Sequence, residues 1–211
     1  MRSVILGCIA VTFSLPQAAH ADDMVQSEML DKLLDLTIVR SAEISPDGKY
    51  VAYTTFKNDF KHDKDMSQLW VVSTENGATT QLTYGDDAVG EYEWSTDGKW
   101  LAFIRDGKLA FISASGGEAI RPEFKIKGFR DLQFSPNDNT LYFMAGPDDS
   151  SSMDAREKRY GKYNVVREDG NYQHIWRAAL NNDMSLDGKP EQLTDGRNFT
   201  VIGYALAPNG S

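Results

Sequence analysis

Cysteine is all but missing from this chain: 211 residues hold one copy, Cys8. Cys8 lies in a segment that reads as a leader, so the remainder has no thiol at all. That excludes disulfides, a cysteine-ligated metal and a thiol nucleophile, and leaves stability to packing. No apolar run approaches the roughly 20 residues of a bilayer-spanning helix. A basic surplus is lacking too, since 22 Lys and Arg face 31 Asp and Glu for a formal charge of −9. A duplex-binding surface needs a basic patch to displace counterions, so neither nucleic acid nor membrane is an expected partner. No G-x-S-x-G occurs, and without it the strained elbow that exposes a serine nucleophile cannot be drawn. No glycine-rich phosphate loop or dinucleotide fingerprint is present; Ser115-Gly116-Gly117 reads as a hairpin turn, and no cofactor is expected.

What the chain does have is the composition of a folded, soluble protein, with 41% hydrophobic and 25% charged residues. It starts with Arg2, an apolar run from Val4 to Leu15, and Ala19-His20-Ala21 ahead of Asp22-Asp23. This is the layout of a secretory signal peptide over residues 1–21, cut after Ala21, and it predicts a periplasmic or secreted product. Ile5-Leu6-Gly7-Cys8 loosely resembles a lipid-attachment site, but a cysteine this early leaves too short an apolar run for export. Loss of the leader removes Arg2, its only Lys or Arg, and leaves −10.

Residues 22–37 form the next segment. Met29, Leu30, Leu33, Leu34 and Leu36 recur at helical spacing, with Ser27 placed to cap the N-terminus and Glu28 and Asp31 in the first turn, where carboxylates suit the helix dipole. One short amphipathic helix is expected there.

From Ile38 the period changes to alternation, and it repeats. The unit is a strand, a four-residue turn and a second, more apolar strand: Ala42-Glu43-Ile44, Ser45-Pro46-Asp47-Gly48, then Tyr50-Val51-Ala52-Tyr53. It recurs around Ser95-Thr96-Asp97-Gly98 and Ser135-Pro136-Asn137-Asp138, and starts again at Ala207-Pro208-Asn209-Gly210. Proline at the second position pre-sets φ for a type I turn, Asp or Asn supplies an acceptor, and glycine tolerates the closing geometry. Two more strands follow each pair, as in Leu69-Trp70-Val71-Val72 and Thr80-Gln81-Leu82-Thr83, or His174-Ile175-Trp176-Arg177 and Glu191-Gln192-Leu193-Thr194. Four strands per unit, with turns starting 50 and then 40 residues apart at Ser45, Ser95 and Ser135, match a β-propeller. The fold class expected is therefore all-β, a partial propeller of about three four-stranded blades plus the start of a fourth, preceded by a short α-helix. Within 38–211 the blades fall near 38–84, 88–122 and 128–196, with a partial blade from 199. The third carries an insertion over 146–173, because 72 residues separate Ser135 from Ala207. Such insertions often carry contacts.

The leucine-rich helix, Ser-Pro-Asp-Gly-Lys with Tyr-Val-Ala-Tyr, and the Leu-Trp-Val and Gln-Leu-Thr segments resemble the N-terminal propeller of prolyl oligopeptidase-family serine peptidases, the dipeptidyl and acylaminoacyl peptidases above all. Arg159-Tyr160-Gly161-Lys162-Tyr163 through Glu168-Asp169-Gly170 to His174-Ile175-Trp176 is similar to a segment of those propellers. The resemblance implies a propeller that gates the access of peptide substrates to a C-terminal α/β-hydrolase domain. Since the serine elbow has no match, the family's catalytic residues transfer to no position and the chain is expected to be inactive by itself, a fragment ending before its catalytic domain. The Ser-Pro-Asp-Gly motif is shared with TolB-like periplasmic propellers, which bind a protein or peptide partner without catalysis, and that reading stays open.

No catalytic, cofactor or metal residue is assigned, and substrate-binding residues are unknown. Asp59, His62, Asp63 and Asp65 hint at a metal site, but Lys61 and Lys64 sit among the acids and no second histidine is near, so a solvated loop is expected. His174, beside Trp176, is expected to pack. Some dipeptidyl peptidases hold a substrate amino terminus with paired glutamates; Glu91 and Glu93 alternate with Tyr92 and Trp94 and read as the outward face of a strand. Arg156, Lys158 and Arg159 read as a solvated loop, with carboxylate binding or domain docking as the rival, and Asn198-Phe199-Thr200 matches a glycosylation acceptor that chance readily produces. An unclosed propeller would leave Val51, Tyr53, Leu141 and Phe143 on exposed apolar faces, and self-association is expected.

Overall fold

The structure is a computed structural model that describes residues 36–59, 63–124, 126–146, 172–196 and 198–208, with Lys32 and Arg159 as isolated positions. The chain divides into two units, residues 1–36 and 37–211. The signal-peptide segment and nearly all of the expected helix at 22–37 lie outside the described residues. Every described strand belongs to the second unit.

The first sheet has the order β1 (Ile38–Ile44), β2 (Tyr50–Asp59), β3 (Lys64–Ser73), β4 (Thr79–Gln81); the second has β5 (Val89–Trp94), β6 (Trp100–Arg105), β7 (Lys108–Ser113); the third has β8 (Arg130–Phe134), β9 (Thr140–Ala145), β10 (His174–Ala179), β11 (Glu191–Gln192). All pairings are antiparallel between chain neighbours. This is the all-β, stacked-blade architecture of a partial propeller. The second blade departs from four strands. Its last member shrinks to one bridge, Phe111 to Ile120, because Pro122 offers no N–H and holds Arg121 in a restricted conformation. In the third blade β9 and β10 pair directly, with Ala145 opposite His174, and the insertion expected over 146–173 lies almost wholly outside the described residues. Residues 198–208 form no strand; they run beside the third blade, with the Val201 N–H donating to the Gln173 carbonyl at 2.8 Å.

The hairpin corners share one hydrogen-bond design. Ser45 N–H donates to the Tyr50 carbonyl at 2.8 Å, Ser95 N–H to Trp100 at 2.9 Å and Ser135 N–H to Thr140 at 2.8 Å. In the first two, the serine hydroxyl donates to the aspartate two residues on (2.7 Å each) and accepts from the N–H of Tyr50 or Trp100. The third corner carries its acid one residue later, and Asp138 accepts from the Thr140 N–H at 3.0 Å.

Blades stack through two cores that share the second blade. Ala52, Leu69 and Val71 meet Tyr92, Trp94, Leu101, Phe103 and Ile112 in one. In the other, Ala102, Leu109 and Phe111 meet Leu132, Leu141, Phe143 and Trp176. Counting from the corners, Val51, Leu101 and Leu141 are equivalent, as are Tyr53, Phe103 and Phe143; this row faces the preceding blade, while Ala52 and Ala102 face the following one. Leu141 and Phe143 are therefore covered by the second blade and fully buried, contrary to the expectation that they are exposed. Val51 and Tyr53 occupy the same row on the first blade, and they stay partly exposed.

Candidate functional site at the inner strands

β1, β5 and β8 are the first strands of their blades; β5 packs beside β8 and reaches β1 through the Trp94 indole, along the edge that borders the central channel of a propeller. Each breaks register shortly before its corner, between Arg40 and Glu43, between Val89 and Tyr92, and between Arg130 and Gln133, the second one residue further from the corner than the other two. These are bulges, which re-aim side chains at barrel and blade rims. Ser41 and Asp131 take left-handed backbone there, at φ 48° and 50°, a conformation that short polar residues tolerate.

The bulges make two equivalent rows. Ser41, Glu91 and Asp131 lie on the bulge; Glu43, Glu93 and Gln133 lie two residues before each corner serine. Glu91 reaches across to the third blade, its carboxylate accepting the N–H of Asp131 at 2.8 Å and that of Leu132. Gln133 reaches the segment that follows the third blade, donating to the Tyr204 carbonyl at 3.2 Å and accepting from the Leu206 N–H at 3.4 Å, and donates to the Asp131 carboxylate at 3.0 Å. Tyr204 returns the link by donating its hydroxyl to the Asp131 carbonyl at 2.7 Å. On the opposite face of β5 the Trp94 indole donates to the Glu43 carbonyl at 3.2 Å and Tyr92 donates to the Ala52 carbonyl at 3.1 Å.

Charge here has one sign. Burial first, then Glu43, Glu91 and Asp131, push the half-buried Glu93 carboxyl up to about 7. Burial and Glu91 raise Glu43. The hydroxyls of Tyr92 and Tyr204 are also raised, by burial and then by the same acids. The cluster can hold and release a proton near neutrality and accept donors from neighbouring backbone. It contains no nucleophile with an adjacent base.

Glu91 and Glu93 are thus more than a solvated strand face: one bonds to the next blade and the other is half-buried among acids. The pairing of β5 with Tyr92 and Trp94 inward follows from the alternation; the roles of Glu91, Asp131, Gln133 and Tyr204 depend on the bulges, for which Gly90 is the only local signal. His174 is 1% exposed and packs edge-on against Phe199, with ring centroids 5.7 Å apart, the packing role expected of it. His62, Arg156 and Lys158 lie outside the described residues, and Arg159 is an isolated exposed position. Asp63 and Asp65 border an open depression of about 400 Å³ with Lys64, Asp86, Asp87 and Asp106. Among the described residues no three His, Cys, Asp or Glu side chains stand close enough to hold a metal ion. Asn198 is exposed, while the Thr200 hydroxyl is engaged by the Gln173 N–H at 2.8 Å. No described helix is long and apolar enough to cross a membrane.

No protein-family model matches the chain. An uncharacterised peptidase of Bacillus subtilis, YuxL, is 28% identical over 133 residues, which is 61% of this chain and 20% of that protein. Dipeptidyl-peptidase 5 of Porphyromonas endodontalis is 27% identical over 125 residues, 54% of this chain and 18% of that protein. The matched stretch thus spans about a fifth of these curated relatives. Among solved structures, a prolyl endopeptidase aligns over 92% of this chain and 29% of its own with a TM-score of 0.58 at 18% identity. TolB from Acinetobacter baumannii aligns over 82% of this chain and 36% of its own, with a TM-score of 0.53 at 17% identity. At such identities the solved structures speak for the fold alone. The chain resembles the propeller region of prolyl oligopeptidase-family peptidases and has the fold that those enzymes share with TolB-like propellers.

Proposed function

We propose that this chain is the propeller portion of an exported serine peptidase, in which the blades restrict access so that short peptides, and not folded proteins, reach a separate α/β-hydrolase domain. The observation that carries the reading is the similarity of this chain to two peptidase relatives, at 28% and 27% identity, each over about a fifth of the relative's length. The rest of such an enzyme is where the serine elbow belongs, and the absence of G-x-S-x-G from these 211 residues fits that division. The signal-peptide pattern up to Ala21 supports export to the periplasm or beyond.

Two measurements test this. Purified 22–211 is expected to give no turnover of aminoacyl or peptidyl chromogenic substrates; activity that co-purifies with the chain and survives serine-reactive inhibitors overturns the assignment. Coding sequence read past Ser211 is expected to contain a G-x-S-x-G followed by Asp and His. A stop after a few more blades would instead favour a TolB-like propeller that binds a protein or peptide partner.

A further inference from the structure

The equivalent row Glu43, Glu93, Gln133 places one polar side chain from each inner strand toward the next blade. Only the third member has its interaction fully displayed: the Gln133 amide donates to the Tyr204 carbonyl and accepts from the Leu206 N–H. Counting back from the corners, Tyr204 stands three residues before Ala207 as Leu132 stands three before Ser135, so the carbonyl that an equivalent donor on Glu93 would meet is that of Leu132. A carboxylate offers acceptors only, whereas a protonated carboxyl has one donor and one acceptor, as an amide does. Gln133 is the permanent form of what Glu93 becomes when it binds a proton.

We propose that the gap between the second and third blades is a proton-gated joint. With Glu93 protonated, its carboxyl seats against β8 as the Gln133 amide seats against the segment that follows the third blade. When its proton passes to bulk water, the carboxylate faces an acceptor carbonyl with like charge around it, and the joint loosens.

The surroundings leave the new charge uncompensated. The titratable groups bearing on Glu93 are Glu43 from β1, Glu91 from its own strand and Asp131 from β8, with the hydroxyls of Tyr92 and Tyr204 beside them; its partner on β6 is Ala102. None of these groups is basic. The Glu91 carboxylate already accepts the Asp131 and Leu132 amides. The folded value of Glu93 lies above the ordinary carboxyl value of 4.5. Its contribution to folding is therefore full below about 4.5 and is lost as pH rises through about 7.

The experiment is amide hydrogen exchange of the whole chain from pH 5 to pH 8, corrected for the intrinsic rate, read at Leu132. In the wild type the opening constant is expected to rise with pH, by up to about tenfold per unit between 5 and 7, and to flatten above. Glu93→Gln is expected to remove that rise and to exceed the wild type in thermal midpoint at pH 8. Equal pH slopes in the two proteins overturn the proposal. Should Glu93→Gln fail to fold, Gln133→Glu carries the test in reverse, since it places an acid in the next gap. Its thermal midpoint is expected to fall more steeply than that of the wild type between pH 5 and 8, and parallel curves overturn the joint.

Discussion

At the residue scale the corner serines hold the repeat together. Ser45, Ser95 and Ser135 are 2%, 3% and 4% exposed, yet each is polar, and burial of a hydroxyl is tolerable only when it is bonded. Ser95 donates to Asp97 at 2.7 Å and accepts from Trp100 N–H at 2.9 Å. Ser95→Ala removes both and leaves a turn amide short of an acceptor, so it is expected to cost about 1–3 kcal/mol, read as a lower urea midpoint with an unchanged slope. The paired acids respond to pH in the opposite sense to Glu93. The Ser45 hydroxyl, then the Lys49 side chain and amide, hold Asp47 down at about 2. Asp97 is also lowered: burial works against this, and the bonds from Ser95 and Lys99 outweigh it. What these carboxylates contribute is present above the ordinary value of 3.8 and is lost as pH falls through the folded value. With Glu93 working from the other side, stability is expected to be highest in the mildly acidic range.

At the scale of elements, neighbouring corners touch. Gly48 and Gly98 both take left-handed backbone, at φ 73° and 68°, but a methyl group on Gly48 would meet open space while one on Gly98 would lie 3.0 Å from Asp47 Oδ1. Both alanine variants pay the left-handed penalty of about 1–2 kcal/mol. Gly98→Ala is expected to cost more, because it also displaces the Asp47 carboxylate from its bonds to Ser45 and Lys49. Equal losses in chemical denaturation would show that the corner contact carries nothing. The hairpins were legible in the sequence because a Ser-Pro-Asp-Gly turn is settled by residues adjacent in the chain. What sequence left open was which face of each strand meets which blade. Alternation places Leu141 and Phe143 on one side of β9, but only the stacking order says that this side is covered by Ala102 and Phe111. The inner-strand site was hidden for a related reason: a bulge shifts the side-chain alternation by one residue, so the cross-blade role of Glu91 cannot be read from its position in an alternating pattern.

At the scale of the whole molecule, the stacking order predicts where the chain is open. The row that is buried at Leu101 and Phe103, and again at Leu141 and Phe143, continues on the first blade as Val51 and Tyr53, with Trp70 stacked on Tyr53 at 6.4 Å. Ile44, equivalent to the buried Trp94, is 62% exposed. Apolar area at the end of a stack, beside an exposed strand edge, favours association. The 211-residue chain is therefore expected to sediment with a weight-average mass that rises with concentration. Tyr53→Lys with Ile44→Thr should shift it toward monomer with little loss of thermal stability, because neither side chain is buried. Phe143→Ala should do the reverse: it leaves a cavity between the second and third blades, costs about 3–5 kcal/mol, and leaves the association surface intact. A wild-type chain that stays monomeric at every concentration would mean that the first blade's outer row, unlike its two equivalents, was built to face water.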